Sequence, residues 1–249
     1  YHIIAPVTTY VSWQPTDPHV CGISLLNMQA TQSERANVYN NTVLMDGTGS
    51  NNFYSTCFYS TFAGPVDLKN NIFVNHCVPG VNGRAVAFAK NSASFDNFIA
   101  TMNNNIYYAG TPDASHLIYY DGTNSCQTLA EYKALNVGKD QNSFTEDVPF
   151  VSSVAPYDLH INPAIETVVE SNAIPLAIVI DDIDGDLRSD TPDIGADEGN
   201  FTIFTSLATP ANVTIIKVGD NVQISWDAVD GATSYRIYGS DLPYAEMPW

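Results

Sequence analysis

Pairs of asparagine flanked by apolar residues recur through the first half of the chain. Each copy follows the order apolar, any, Asn, Asn, apolar or Thr, any, apolar. The copies occupy residues 37–44, 67–74 and 101–108. Their Asn pairs begin at Asn40, Asn70 and Asn104, which gives spacings of 30 and 34 residues. A repeat of this length, made only of short strands and turns, predicts coils stacked on one another rather than a sandwich of hairpins.

Each copy is followed by a second apolar run, at residues 53–59, 85–89 and 117–120. We expect the coils to build three inward-facing rows, namely Val38, Leu68 and Met102; Thr42, Ile72 and Ile106; and Leu44, Val74 and Tyr108. Asn tolerates the left-handed backbone of a corner, and amides about 4.8 Å apart on successive coils can hydrogen-bond along the stack. The pattern therefore predicts that Asn40, Asn70 and Asn104 stack at one corner and bind no ligand.

One helix is predicted after the last repeat, over residues 128–135. Thr128 and Glu131 have the spacing of a capping box, and Gly138 follows as a stop signal. Residues 144–154, 158–163 and 173–180 then lead into an acidic segment. The segment 181–198 is rich in Asp, Gly and Pro, so it cannot form a helix or a central strand. We interpret this segment as the closing cap of the domain.

The pattern changes near residue 205. Residues 211–217, 221–226 and 233–238 alternate between apolar and polar, and Gly and Asp separate the runs. This pattern is typical of antiparallel strands joined by turns. The chain is thus predicted to be all-β, with a solenoid domain at residues 1–204 and the first strands of an antiparallel sandwich at residues 205–249.

The composition narrows the range of partners. Hydrophobic residues make up 45 % of the chain, enough for a core, and the formal net charge is −18. This charge argues against nucleic acid and anionic membrane surfaces, which are bound through Lys and Arg. No apolar run approaches 18 residues, so we expect no membrane insertion. The charge agrees with divalent cations and neutral glycans as partners, and also with the solubility of a secreted protein.

The four cysteines leave two alternatives open. None has CxxC spacing, so the sequence does not predict a zinc site. An even number of cysteines favours an oxidising compartment, where three disulfide pairings are conceivable. Four buried free thiols that act as small hydrophobic side chains are the alternative. The residues concerned are Cys21, Cys57, Cys77 and Cys126.

Several of these segments together resemble one protein family. They are the Asn-Asn repeats, the helix TLAEYKAL, the segment INPAIE at 161–166 and the closing DIDGDLRSDTPDIGADE at 182–198. They resemble the C-terminal half of secreted right-handed parallel β-helix proteins of the pectin-lyase-like class. The resemblance covers roughly residues 20–200. It implies a right-handed parallel β-helix, and we expect the chain to be a piece of a longer protein.

Residues 209–249 resemble the first three strands of a fibronectin type III domain, through PANVTI, VQISWDAV and ATSYRIYGS. The resemblance implies that Trp226 and Tyr235 are core aromatic residues. Sandwiches of this kind have about seven strands and about 100 residues. We therefore expect either that the polypeptide continues past Trp249 or that a neighbouring copy completes the sheet by strand addition.

The acidic cap contains a candidate calcium site. Five carboxylates have the oxygen-ligand spacing of a calcium loop, namely Asp182, Asp184, Asp186, Asp190 and Asp193. Leu187 stands where a calcium loop of the EF-hand type needs Gly. The alternative is a turn-rich cap whose Asp side chains accept hydrogen bonds from backbone N–H groups. We expect no obligatory cofactor, with calcium as the candidate ion.

The sequence names no catalytic residue. The hydrolases of the resembled fold have an Asp pair with neighbouring His-Gly and Arg-x-Lys motifs, which this chain lacks. Lys69, Arg84 and Lys90, with Asp67 and Asp96 nearby, are compatible with a lyase site that removes the proton next to a uronate. Scattered surface charge is the favoured explanation of the same residues, because their spacing is not diagnostic.

Aromatic residues supply a carbohydrate-binding hypothesis. Phe73 and Tyr107 share a register that we interpret as outward, and Tyr119 and Tyr120 lie on the next face. Such a row can stack on sugar rings, whereas burial under loops or partner chains is the alternative.

Two functions follow from these observations. The first is a non-catalytic structural or adhesive segment of a secreted or cell-surface bacterial protein, which binds glycans or neighbouring copies in a filament or surface layer. The second is the C-terminal part of a secreted polysaccharide lyase or glycoside hydrolase. The absence of a recognisable catalytic set in the sequence favours the first.

Overall fold

The computed structural model describes residues 2–7, 19–26, 35–203, 209–219 and 221–229, together with residues 232, 235 and 237. The chain divides into two compact units, Tyr1–Phe204 and Thr205–Trp249. The described elements of the first unit are β1 (His2–Val7), β2 (His19–Leu25), β3 (Ala36–Tyr39), β4 (Thr42–Gly47), β5 (Tyr54–Ser60), β6 (Val66–Lys69), β7 (Ile72–Asn75), β8 (Arg84–Lys90), β9 (Ile106–Tyr108), β10 (His116–Tyr120), β11 (Ser125–Cys126), α1 (Leu129–Leu135), β12 (Phe150–Ser152), β13 (Asp158–Ile161), β14 (Glu166–Thr167) and β15 (Thr202–Ile203).

The first unit is a β-solenoid of about three turns with one short helix among its described residues. A four-stranded sheet has the order β1-β4-β7-β9, a five-stranded sheet has the order β11-β10-β8-β5-β2, and β3 pairs with β6. All these pairs are parallel except β10 with β11. Thr42 pairs with Ile72 and Ile72 with Ile106, so the predicted stacking of the Asn repeats is confirmed.

Both faces of strands β4, β7 and β9 are largely buried, which corrects part of the expected orientation. Phe73 and Tyr107 point into the solenoid, where their ring centroids lie 5.9 Å apart. The rows that begin at Thr42 and Leu44 therefore face away from the interior, not into it. The row that begins at Val38 lies inside the solenoid, as predicted.

A second layer, formed by residues 144–201, covers the outward face of the four-stranded sheet. Its buried apolar side chains pack against Leu44, Ile72, Val74 and Ile106. They are Val148, Phe150, Leu159, Ile161, Val169 and Ile194. Parallel strands that are covered on both faces are apolar throughout and show no alternation. The sequence therefore carried no signal for which set of side chains points inward.

The first Asn of each pair forms the corner of a coil. Asn40, Asn70 and Asn104 have φ values of 49°, 56° and 57°, in the left-handed region that Asn tolerates. The amide of Asn70 donates to the Asn40 side-chain oxygen at 3.3 Å, as expected for a stack. The three side-chain amides also donate, respectively, to the carbonyl oxygens of Gly195, Ile174 and Asn172 in the second layer.

The second Asn of each pair forms a hydrogen-bonded ladder inside the corner. The side-chain amide of Asn41 donates to Asn71 at 2.9 Å, and that of Asn71 donates to Asn105 at 2.9 Å. The next turn lacks an Asn at this position. Its Ser143 hydroxyl accepts from the Asn105 backbone at 2.8 Å, and the Asp140 carboxylate accepts from the Asn105 amide at 2.9 Å.

Helix α1 closes the interior where the ladder ends. Thr128 and Glu131 form the predicted capping box. The hydroxyls of Tyr132 and Tyr107 donate to the fully buried Asp140 carboxylate at 2.8 and 2.6 Å. Burial raises the pKa of Asp140, and these hydrogen bonds oppose the rise. Among the described residues no helix has the length and apolar character needed to span a membrane.

The four cysteines are free thiols, so the second of the two alternatives holds in the structure. Cys57, Cys77 and Cys126 are buried and Cys21 is partly exposed. Burial raises the pKa of all four, to about 12 for Cys21 and to about 11 for Cys77 and Cys126. They therefore behave as small hydrophobic side chains.

The second unit contains an antiparallel hairpin of β16 (Thr214–Val218) and β17 (Asn221–Ser225), as the alternating pattern predicted. Ile215 and Val222 remain 68 % and 64 % exposed. The rings of Trp226 and Tyr235 meet at 5.1 Å between centroids. The predicted strand at 233–238 lies outside the described residues except for Tyr235 and Ile237, so the fibronectin-type sandwich stays a prediction.

Candidate functional site

Three rows of side chains cross the outer face of the five-stranded sheet. Tyr54 pairs with Arg84 in the first row. The second row contains Thr56, Val86 and Leu117, and the third contains Tyr59, Ala89 and Tyr120. Between the second and third rows, Cys57 and Phe58 both point into the solenoid, so the strand turns a corner there. The corner makes the outer face concave.

The concave face holds a groove with a volume of about 780 Å³. We call it the outer groove and define it by seven of its lining residues: His19, Tyr54, Thr56, Tyr59, Lys90, Tyr120 and Asp121. Val86, Ala89 and Leu117 form an apolar cluster in the sheet beneath, with Tyr59 and Tyr120 packed against it. A volume of this size falls in the range of small-molecule and cofactor sites.

His19 shapes the β2 end of the outer groove. Its Nε2 lies 2.8 Å from the Thr56 hydroxyl, and its ring meets Tyr59 edge-on at 5.2 Å. Burial lowers the pKa of His19, so the imidazole is neutral near pH 7. A neutral imidazole can both donate and accept hydrogen bonds, which suits recognition of hydroxyl groups.

Arg84 packs against the rings of two tyrosines of the outer groove. Its guanidinium carbon lies 4.7 Å from the Tyr120 ring centroid and 5.8 Å from that of Tyr54. Cation–π contacts of this kind are worth about 0.5–1 kcal/mol at exposed sites. They favour the orientation of each ring seen beside the apolar floor.

Lys90 lies at the third-row side of the outer groove. Its ammonium donates to the Ser94 carbonyl and lies over the rings of Phe95 and Phe98, at 4.2 and 4.9 Å from their centroids. Burial lowers the pKa of Lys90 to about 8, and the charge of Asp121 partly opposes this change. A lysine of this kind is neutral in part near pH 8 and could accept a proton.

Asp121 is the one carboxylate that lines the outer groove within the described residues. It accepts from the Tyr119 hydroxyl at 3.0 Å, from the Thr123 and Asn124 backbones at 2.8 and 2.7 Å, and from the Asn124 amide at 2.8 Å. Its burial favours the neutral acid, but the hydrogen bonds from Asn124 and Thr123 prevail and lower the pKa of Asp121. The carboxylate is thus charged and held in place by its turn.

The predicted carbohydrate-binding residues separate into two groups. Phe73, Tyr107 and Tyr119 are fully buried, so their expected exposure is wrong and they offer no face to a sugar. Tyr120 is partly exposed and lines the outer groove. Tyr54, Tyr59 and His19 also line the outer groove, and the sequence pattern did not single them out. Tyr54 and Tyr59 both lie in the predicted strand at residues 53–59. Only the pairing of both Tyr59 and Tyr120 with Ala89 shows that these two tyrosines share a row.

The residues considered for a lyase site separate into groups: Lys69 pairs with Asp67, whereas Lys90 and Asp96 line one small pocket elsewhere. Asp67 is fully buried and accepts from Lys69 at 3.0 Å on the β3–β6 face. Arg84 and Lys90 stand at opposite ends of β8 and turn to different rings, Arg84 to Tyr120 and Lys90 to Phe95. Of the set, Lys90 is the one residue that lines the outer groove within the described chain.

The acidic cap uses its carboxylates mainly on its own backbone. Asp182 accepts from the backbone N–H groups of Asp184 and Asp186, both at 2.9 Å, and from that of Glu198 at 3.1 Å. Asp193 is buried and accepts from the backbones of Ser171 and Gly199, at 2.7 and 2.9 Å. This is the turn-cap arrangement that the sequence offered as the alternative to calcium.

The five predicted calcium ligands are not gathered at one point. Within the described part of the chain, one group of three candidate ligand side chains has its atoms within 4.8 Å of one another: His160, Asp184 and Asp197. Of the predicted five it contains Asp184 alone. Asp186 and Asp190 are exposed. Calcium binding by this segment therefore stays a prediction without a formed ligand set.

Comparison of the chain with protein-family models, with curated proteins and with solved structures gave no match. The pectin-lyase-like and fibronectin type III resemblances therefore stay expectations. The arguments about function depend on the groove and on the charged clusters themselves.

Proposed function

We propose that the chain is a non-catalytic adhesive segment of an extracellular protein and that it binds a glycan chain in the outer groove. One observation carries the proposal: the open groove has aromatic walls, an apolar floor and hydroxyl and amide groups at its rim. Sugar rings present apolar faces and hydroxyl edges, and this mixture complements both.

The third row of the sheet offers a slot for one ring. Tyr59 and Tyr120 flank Ala89 on successive strands, so they stand about 10 Å apart across the sheet. Ala89 leaves space between the two larger side chains. A pyranose that lies over Ala89 would contact both tyrosines, while Asn91 and Thr61 are within the same lining and can meet its hydroxyls.

Binding is a better match to this groove than glycoside hydrolysis. Hydrolysis uses two carboxyl groups on opposite sides of the scissile bond, about 5–9.5 Å apart. Among the described residues Asp121 is the one carboxylate of the lining, and its oxygens are already occupied by hydrogen bonds from Tyr119, Thr123 and Asn124. Within the described lining it has no carboxyl partner to act as acid or nucleophile.

A lyase acting on uronate chains is the second candidate, and Lys90 favours it. Burial lowers the pKa of Lys90 to about 8, which brings its neutral form into the range of a general base. A lyase must leave an unsaturated uronate that absorbs in the ultraviolet. Adhesion predicts retention of the glycan without any such absorbance.

Affinity electrophoresis and calorimetry against neutral and uronate-containing polysaccharides test the proposal. We expect binding without cleavage, weakened at least about fivefold by Tyr120→Ala and by Tyr59→Ala, the effect of losing roughly 1 kcal/mol of contact energy. Tyr157→Ala is the matched control and should bind normally. It removes a partly exposed tyrosine of the second layer, whose hydroxyl donates to Asp46 of β4.

Two outcomes would overturn the adhesive proposal. The absence of binding to every polysaccharide tested would remove the outer groove as a glycan site. Ultraviolet-absorbing products that form with the wild type and disappear in Lys90→Gln would establish the lyase instead.

We also propose that the hairpin of the second unit begins a fibronectin-type spacer module. The contact of Trp226 with Tyr235 and the exposed apolar residues of β16 and β17 support this proposal, since a facing sheet would cover them. In an extended protein that supplies the facing strands, Trp226 should be less accessible to a fluorescence quencher than in the present chain. An unchanged accessibility in the extended protein would contradict it.

A further inference from the structure

A second constellation lies where β13 meets the acidic cap. The imidazole of His160 contacts Asp158 through Nδ1 at 2.5 Å and Asp184 through Nε2 at 2.8 Å. The carboxylate of Asp197 completes a group whose ligand atoms lie within 4.8 Å of one another. Neither the groove nor the turn-cap role of Asp182 and Asp193 explains this convergence.

The charges of the constellation are unbalanced. The carboxylates of Asp158, Asp184 and Asp197 surround one imidazole, and Asp182 adds a further negative charge close to Asp197. Arg188, the one Arg or Lys of the 181–198 segment, is bonded to Glu198 and to backbone carbonyls instead.

Asp197 is buried and held in one position, as a metal ligand inside a protein usually is. It is 7 % exposed, and one of its oxygens accepts from the Ile161 backbone at 2.7 Å. That hydrogen bond fixes the carboxylate beside His160, the neighbour of Ile161 in β13. Since a carboxylate has two oxygens and about four lone-pair sites, the group keeps acceptor capacity for a cation.

We propose that His160 Nε2, Asp184 and Asp197 form a site for a divalent transition metal of the zinc class. An imidazole among the ligands favours such metals over calcium, which takes oxygen ligands only. Asp158 holds the other imidazole nitrogen, the arrangement that orients metal-bound histidines. On binding, Nε2 releases its proton to solvent and the metal takes its position between the imidazole and Asp184.

The site would clamp three segments of the chain together. His160 belongs to β13 in the second layer, Asp184 to a turn of the acidic cap and Asp197 to the end of that cap. Binding to the native state alone raises the free energy of unfolding by mass action. This inference is independent of the glycan proposal, because the site and the groove share no residue.

Zinc titration of the chelator-treated protein tests the inference. Calorimetry should give one zinc ion per chain, with release of a proton and a rise in the thermal midpoint. His160→Gln and Asp184→Asn should each abolish saturable binding, and Asp158→Asn should weaken it about 10- to 100-fold, as expected for an orienting group. Circular dichroism checks that each variant is folded.

Two matched controls separate this site from adventitious zinc. Asp186→Asn removes an exposed carboxylate of the same turn, and His116→Gln removes the imidazole of another Asp–His pair, with Asp113. Both should bind zinc as the wild type does. Absence of saturable zinc binding, or equal zinc affinity in the wild type and His160→Gln, would refute the site. Calcium binding that competes with zinc and is unaffected by His160→Gln would refute the zinc assignment and return the cap to the calcium hypothesis.

Discussion

The Asn ladder supports a quantitative prediction about Asn71. Its side-chain amide donates to the carbonyls of Val38 and Lys69 and to the side chain of Asn105, all at 2.9 Å. Its oxygen accepts from the backbone and side chain of Asn41, at 3.0 and 2.9 Å. One fully buried side chain thus joins three successive coils of the solenoid.

Asn71→Ala removes all of these contacts at once. Two amide hydrogens and two accepted bonds correspond to roughly 4 kcal/mol at about 1 kcal/mol net for each bond. Part of this loss is offset, because the Lys69 carbonyl also accepts from the Asn40 backbone and the Asn105 oxygen from the Asn71 backbone. We therefore expect the free energy of unfolding to fall by about 3 kcal/mol, which for about 200 residues lowers the thermal midpoint by roughly 6–12 °C.

Urea unfolding followed by far-ultraviolet circular dichroism measures this difference, and calorimetry tests whether the transition is two-state. Asn142→Ala is the matched control, since Asn142 is exposed on the next turn. A surface change of this kind should stay within about 0.5 kcal/mol of the wild type. If Asn71→Ala lost less than about 1 kcal/mol, or no more than the control, the ladder would not hold the coils together.

Three further predictions concern other parts of the first unit. In urea unfolding, Gly195→Ala should destabilise the first unit by about 1–3 kcal/mol more than Gly185→Ala does. Both glycines have a positive φ, but only at Gly195 does an added Cβ meet Ile72, at 2.5 Å. Equal losses of stability in the two variants would contradict this reasoning. Burial raises the pKa of Asp193 to about 7, above the value near 3.9 in the unfolded chain. The stability that Asp193 contributes is therefore present at low pH and is lost as the pH rises towards 7. Asp193→Asn should flatten that dependence between about pH 4 and pH 7, and an unchanged slope would contradict the assignment. A thiol reagent should modify Cys21 before the three buried cysteines, which react only on unfolding; rapid reaction of all four would contradict their burial.

Local sequence patterns were enough to predict the solenoid. The spacing of the Asn pairs located the corners and the register of the coils, since a left-handed corner and an amide ladder both favour Asn at a fixed point of each turn. The capping box of Thr128 and Glu131 located the helix, and turn residues separated the hairpin strands of the second unit. These features are local, so they can be read from a short stretch of chain.

The direction in which each strand face points depends on how the layers pack in three dimensions. Phe73 and Ile72 are equally apolar and both fully buried, one inside the solenoid and the other beneath the second layer. No alternation distinguishes them, because residues 144–201 cover the face that would otherwise meet water. The outer groove and the His160 cluster likewise depend on contacts between residues far apart in the chain, such as Tyr59 with Tyr120 and His160 with Asp184. Such contacts arise from the stacking of coils and the folding of the cap, and no short-range pattern encodes them.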